Sequence, residues 1–248
     1  MADVLIITGA SRGIGAATAR LAGARGWAVA VNYNASAAAA EQVVRDIEAT
    51  GGRAIAVKAD VSTEAGAVHL FAEVDRRLGR VKGLFNNAGT VHVAKPLQEM
   101  TADEADALWR TNITSQILCA REAAKRMSTR SGGPGGAIVN MSSAAAYIGG
   151  GGGLLMYAAS KGAIDTLTRG MSSELSPQGI RVNGVRPGLI ETTIHDATGV
   201  ENRIQKLLPS VPMGRSGQPE EVGEAVLWLL SDAASYVTNT FVDIGGGR

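Results

Sequence analysis

Apolar residues fall along this chain in short unbroken runs, separated by helix-forming segments. Val4–Ile7 is four apolar residues in succession, and comparable runs stand at Trp27–Val31, Ala54–Lys58, Leu84-Phe85, Ala137–Met141, Arg181–Val185 and Phe241–Ile244. A strand with one wet face alternates apolar and polar residues, whereas one covered on both faces need not, so these runs read as buried parallel strands. Between them, Ala16–Ala24, Ala35–Thr50, Thr63–Leu78, a long segment from about Thr101 to Thr129, the segment opening at Tyr157, and Pro219–Leu230 read as helices. Gly51-Gly52 ends the second of these, and Pro219 opens the last, where its missing N–H costs little. Strand and helix in strict alternation predict an α/β fold, a doubly wound parallel sheet of about seven strands with helices on both faces. Residues 1–248 are expected to make one domain, because the alternation resumes directly after the SGGPGG loop at Ser131–Gly136. Arg186–Gly217 shows little periodicity over its first half. A long segment after a parallel strand's C-terminal end is placed to act as a lid.

Two of the turns carry chemistry. Val4–Ile7 is followed at once by Thr8-Gly9-Ala10-Ser11-Arg12-Gly13-Ile14-Gly15 and then by a helix. In that context glycines let the backbone approach a pyrophosphate while the helix N-terminus offers it free N–H groups. The second runs from Ile138 to Asp165. A strand ends in Ser142-Ser143, a glycine-rich loop follows, and a helix brings Tyr157 and Lys161 to one face at i and i+4. A free phenol, with a pKa of about 10, is a poor base near neutral pH. A close cation favours its phenolate, so Lys161 is expected to pull the Tyr157 value down. With a strand-end serine beside them, these groups outline a hydroxyl–carbonyl proton-transfer site.

Thr8–Gly15 (TGASRGIG), Asn86–Gly89 (NNAG), Asn112 and Tyr157-x-x-x-Lys161 with a serine upstream together resemble the short-chain dehydrogenase/reductase family. Arg186-Pro187-Gly188 and the terminal FVDIGGG extend the likeness over nearly the whole chain, most like the 3-oxoacyl reductase and glucose 1-dehydrogenase-like members. The resemblance implies a Rossmann-like fold and hydride transfer between a nicotinamide cofactor and a carbonyl or secondary alcohol. Tyr157 would be the general acid/base, and Lys161 would hold the nicotinamide ribose. Asn112 would sustain a water-linked proton path through its helix to Lys161. Ser143 would be the serine, with Ser142 the alternative because the spacing to Tyr157 is one residue longer than the family's. Gly9, Ser11, Arg12, Gly13, Ile14, Gly15, Asn87, Ala88 and Gly89 would line the cofactor, with Asp60 and Val61 at the adenine. Ile190 and Thr192, after Pro187-Gly188, would hold the carboxamide. A homotetramer is implied, with the Asn112 and Tyr157 helices in one interface and Phe241–Arg248 in another.

The end of the second strand bears on the cofactor. A fold of this kind that prefers NAD places an acid there for the ribose 2′-hydroxyl. Here the chain reads Val31-Asn32-Tyr33-Asn34. Asn32 is expected to donate to a 2′-phosphate, and Arg12 to pair with it as in NADP-using relatives. NADP(H) is therefore expected over NAD(H), which stays possible, and Asn32→Asp is expected to reverse the preference. A non-catalytic dinucleotide sensor or scaffold on the same fold is the competing reading.

Composition narrows the partners. A formal net charge of +1 over 248 residues gives no general attraction to nucleic acid or to an acidic membrane. No run approaches the roughly 18 apolar residues of a spanning helix, and Met1–Ala10 lacks the form of a secretory leader. A soluble, cytoplasmic protein is expected. Its one cysteine, Cys119, lies in an apolar helical run and reads as a buried, inert thiol. His69, His92 and His195 lack ligand spacing, so no metal is expected. Arg121, Lys125, Arg126 and Arg130 offer cations to an acidic acyl carrier protein, but a solvated helix face is the favoured reading. The substrate pocket is expected from Val91–Gln98, Gly149–Met156 and Glu191–Met213.

Overall fold

The computed structural model describes residues 2–248. Seven strands form one parallel sheet: β1 (Val4–Ile7), β2 (Ala28–Tyr33), β3 (Arg53–Lys58), β4 (Val81–Asn86), β5 (Gly136–Met141), β6 (Ile180–Pro187) and β7 (Phe241–Ile244). They lie side by side in the order β3-β2-β1-β4-β5-β6-β7. The order reverses between β1 and β4, and at such a switch point the loops leaving the strand ends part to open a crevice.

The helices are α1 (Gly13–Ala24), α2 (Ala37–Ala49), α3 (Glu64–Arg77), α4 (Ala102–Trp109), α5 (Ser115–Met127), α6 (Ala145–Ile148), α7 (Leu155–Leu175), α8 (Arg203–Leu207) and α9 (Pro219–Leu230). Strand side chains point alternately to the two faces, and each face meets its own layer. Val4 and Ile6 pack with Leu70 and Phe71 of α3 and Ala123 and Met127 of α5. Leu5 and Ile7 pack with Ala19 of α1, Val43 and Ile47 of α2 and Val226 of α9. Two cores therefore share one sheet, which is why β1 is apolar at every position.

Several elements differ from the sequence expectation, and three of them bear on the site. Strand β2 runs two residues further than Val31, because Asn32 and Tyr33 still pair with Val57 and Lys58 of β3. The segment from Thr101 to Thr129 is not one helix: a π-helical turn over Arg110–Thr114 separates α4 from α5 and holds Asn112. The stretch after β6 is not structureless either. It carries a 3-10 turn over Thr193–Thr198 and the short helix α8.

Candidate active site

The glycine loop sits directly above β1. Gly9 has φ of +63°, and a Cβ on it would come 3.0 Å from the Ala88 Cα. A Cβ on Gly15 would stand 2.6 Å from the Asn87 amide nitrogen, so no side chain fits there. Asn87 belongs to the NNAG turn after β4, and its Nδ2 donates to the carbonyls of Thr8 (2.8 Å) and Gly9 (3.1 Å). Thr8 Oγ1 accepts from the backbone N–H groups of Asn87 and Ala88. The two motifs thus clamp each other across the switch point. Helix α1 begins with no side-chain cap, which leaves first-turn N–H groups facing the crevice for an anion.

Two cavities meet there, sharing Gly9, Arg12, Asn87 and Gly89. The first encloses about 250 Å³ and is lined by Gly13, Ile14, Ser143, Tyr157, Lys161, Pro187, Gly188, Ile190 and Thr192 among others. The second takes in Ser11, Asn32, Tyr33, Asp60, Val61 and Ala88. Of the expected cofactor residues only Gly15 lines neither, and its place is the close contact with Asn87.

Asn32 departs from its expected part. It is 2% exposed, and its Oδ1 accepts from Gly9 N–H at 3.2 Å. Its Nδ2 donates to the carbonyls of Ala59 (3.0 Å) and Val57 (3.3 Å). Both amide ends serve the backbone, so no donor is left for a 2′-phosphate. The next residue, Tyr33, ends the strand half-buried at the rim of the second cavity.

The proton-transfer groups meet in the first cavity. The two serines differ in where their hydroxyls go. Ser142 Oγ is buried and donates to Asp165 Oδ1 at 2.6 Å, also lying 3.2 Å from the Lys161 carbonyl. Ser143 Oγ accepts from the Ala145 N–H at 3.1 Å, and its hydroxyl favours the Tyr157 phenolate. Lys161 is 2% exposed, and its Nζ donates to the Met141 carbonyl at 2.8 Å. Asn112, fully buried, accepts from Thr90 N–H (2.8 Å) and donates to the Thr90 carbonyl (2.9 Å) and Ser160 Oγ (3.1 Å). Its side chain is therefore fully committed to the Thr90 loop and α7. Gly89 lies between Asn112 and Lys161, with its missing Cβ 3.4 Å from Asn112 Oδ1 and 3.6 Å from Lys161 Nζ.

Burial sets the electrostatics. It pushes the Tyr157 phenol above its usual value, against the pull of the Ser143 hydrogen bond and of the positive charge on Arg203. The expected depression by Lys161 is absent. Its Nζ lies 5.6 Å from the phenol ring centroid, and burial lowers its own pKa to about 8, with Asp165 opposing. Asp165 is locked by Arg186, whose Nε and Nη2 donate to Oδ2 at 3.0 and 2.7 Å. This buried pair holds β6 to α7 beneath the site. Its signal was present in the sequence, since Asp165 repeats the i, i+4 face of Lys161. Arg203 and Arg248, which also line the first cavity, carry no such signal.

Of the segments expected around the pocket, Val91, the loop from Gly150 to Leu154, and the lid from Thr192 to Leu207 contribute lining residues. Cys119 is buried, its thiol pushed up to about 12. His92 and His195 are occupied by the carbonyls of Gly153 (3.1 Å) and Ile190 (2.9 Å). The cations of α5 are bound within the chain: Arg121 to Glu64 and Glu122, Lys125 to Glu122, and Arg126 to Asp75 and Glu122.

Relatives extend over the full length. A family model described as Enoyl-(Acyl carrier protein) reductase matches residues 9–248. An uncharacterized oxidoreductase, YgfF of Escherichia coli, is 47% identical over 245 residues, 99% of each chain. A 3-oxoacyl-[acyl-carrier-protein] reductase of Synechocystis is 36% identical, over 99% of this chain and 96% of that one. The crystal structure of a short-chain type dehydrogenase/reductase from Mycobacterium marinum superposes with a TM-score of 0.93 at 33% identity, covering 99% of this chain and 94% of the other. Agreement that runs from end to end in both sequence and fold places the chain in the short-chain dehydrogenase/reductase family.

Proposed function

We propose that the protein transfers a hydride between NADP(H) and a carbonyl or secondary alcohol, with Tyr157 as general acid/base. One observation carries this reading: Ser143, Tyr157 and Lys161 line the same cavity as the glycine-loop residues Gly9, Gly13 and Ile14. The cradle fits a dinucleotide, because side chains are excluded at Gly9 and Gly15 and the start of α1 is uncapped. Bound there, the nicotinamide supplies or accepts the hydride.

The chain's own groups do the rest. The glycine loop and α1 bind the pyrophosphate, Asp60 and Val61 border the adenine, and Ile190 and Thr192 border the carboxamide. Lys161, fixed by the Met141 carbonyl, holds the ribose beside Gly89. Ser143 donates a hydrogen bond to the substrate oxygen. Tyr157 gives its phenolic proton to that oxygen in reduction and takes it back in oxidation. Burial favours the protonated phenol in the free protein, which suits it to act as the acid. Asn112 positions the Thr90 loop and α7.

The preference for NADP(H) rests on Arg12 and on what is missing beside it. Arg12 is exposed and lines both cavities, and Tyr33, Asn34 and Ser36 at the end of β2 offer no carboxylate to repel a 2′-phosphate. The remaining acid of that cavity, Asp60, is turned onto Ser62, accepting from its N–H (3.0 Å) and hydroxyl (2.7 Å). The protein would work in a reducing cytoplasm as a homotetramer. The test is oxidation of NADPH and NADH by the purified protein against a panel of reactive diketones, aldehydes and ketones. Turnover with any of them and faster use of NADPH is the expected result. Cofactor binding with no turnover on the whole panel would favour the sensor reading.

A further inference from the structure

The cavity that holds Tyr157 has a one-sided charge. Its wall includes Arg12, Lys161, Arg203 and Arg248, and no aspartate or glutamate. Arg12 and Lys161 are accounted for by the dinucleotide. Arg203 opens α8 in the lid, and Arg248 stands on the turn after β7. Neither forms an ion pair with an aspartate or glutamate side chain among the described residues, whereas Arg186 beneath the same site does.

Arg203 is close enough to Tyr157 to act on its charge, and close enough to Arg248 for the two cations to repel. Arg248 is held in place, since its carbonyl accepts from the Tyr147 hydroxyl at 3.2 Å and its N–H donates to the Gly245 carbonyl at 3.2 Å. The surroundings are apolar, with Ile148, Leu154, Ile194 and Leu207 on the same wall. Two half-buried cations of like sign, unpaired in such a pocket, lower their energy when an anion enters between them.

We propose that the substrate carries a carboxylate, bound by Arg203 and Arg248, so that the protein interconverts an oxo acid and a hydroxy acid. The inference rests on the hydride-transfer reading and names the substrate class for it. The carbonyl carbon receives the hydride of the reduced nicotinamide and the carbonyl oxygen the proton of Tyr157. The nicotinamide leaves oxidised by two electrons, and the carboxylate is unchanged. Arginine suits this part because its planar fork pairs a carboxylate with two parallel hydrogen bonds. A phosphate monoester on the same subsite is the other anionic possibility that the experiment separates.

The experiment compares NADPH-dependent reduction of 4-oxopentanoate with that of its methyl ester, with neutral 2,3-butanedione as a reference. Calorimetric titration of glutarate into the protein, with and without NADP⁺, follows binding apart from turnover. Wild type is expected to favour the acid over the ester by about 10- to 100-fold in kcat/KM, the usual worth of a charge-assisted pair. Arg203→Met should bring that ratio to about one and weaken glutarate, and Arg203→Lys should restore part of both. Melting curves establish that each variant folds, and the wild-type ratio needs no variant. Equal rates for acid and ester, or a ratio that survives both Arg203→Met and Arg248→Met, would overturn the proposal. So would glycerol 3-phosphate displacing glutarate with a Kd at least tenfold lower, in favour of a phosphate. Turnover of butanedione without discrimination defeats the carboxylate alone. Binding of glutarate that depends on Arg203, with no probe reduced, defeats the hydride-transfer reading instead.

Discussion

At the scale of single residues, the site separates groups that act from groups that hold them. Tyr157→Phe removes the proton and little else, so kcat on a working substrate should fall by about 10²–10⁴-fold while NADPH binding, followed by nicotinamide fluorescence, stays close to wild type. Near-normal turnover would take Tyr157 out of the mechanism. Lys161 gives a pH signature. Its pKa of about 8 in the folded chain lies below its ordinary value near 10.4, so the unfolded chain holds the extra proton between the two. Stability should therefore rise with pH from about 8 to about 10.4, whereas kcat/KM should fall above about 8 as the charge is lost. Lys161→Arg keeps the charge and should shift that alkaline limb upward. A limb that stays in place belongs to another group. Tyr157, Lys161 and Asn112 were legible in the sequence because their spacing or polarity is unexplained by packing. The direction of the Tyr157 shift was not, because it depends on how deeply the phenol is buried.

The element scale shows where local pattern stops informing. A π turn and an α-helix bury the same face over a few residues, so nothing in Arg110–Thr114 announces the break that holds Asn112. The end of β2 misled for a related reason. A polar residue after an apolar run suggests the strand has finished, but Asn32 continues it by satisfying three backbone groups on neighbouring segments. Asn32→Asp should thus act on stability rather than on cofactor choice. A carboxylate cannot donate to the Val57 and Ala59 carbonyls, and leaving such groups unpaired costs about 1–3 kcal/mol. Tyr33→Asp, one residue on and at the cavity rim, should instead move the preference toward NADH. Melting temperatures and the NADPH/NADH ratio of kcat/KM for both variants check this. A reversed ratio in Asn32→Asp with an unchanged melting temperature would contradict the assignment.

At the scale of the whole molecule, fold class was the most legible feature, because a sheet covered on both faces writes unbroken apolar runs into its strands. The helix inside the expected lid was not, since α8 is five residues long, too short for a periodicity to declare itself. The proposed homotetramer is weighed against what the single chain leaves uncovered. Trp109 and Ile117 flank the π turn at about 40% exposure, Tyr236 is fully exposed, and β7 is an open sheet edge. An open edge and exposed aromatics favour association, and light scattering at micromolar concentration should return four times the chain mass of 25.5 kDa. A monomer would refute this. Cys119, finally, makes the molecule convenient for site-directed labelling. A thiol with no exposed surface and a pKa pushed up to about 12 stays out of reach of a maleimide. A cysteine introduced at Lys206 on α8 would then carry the only dye, and its fluorescence would follow the lid as ligands arrive.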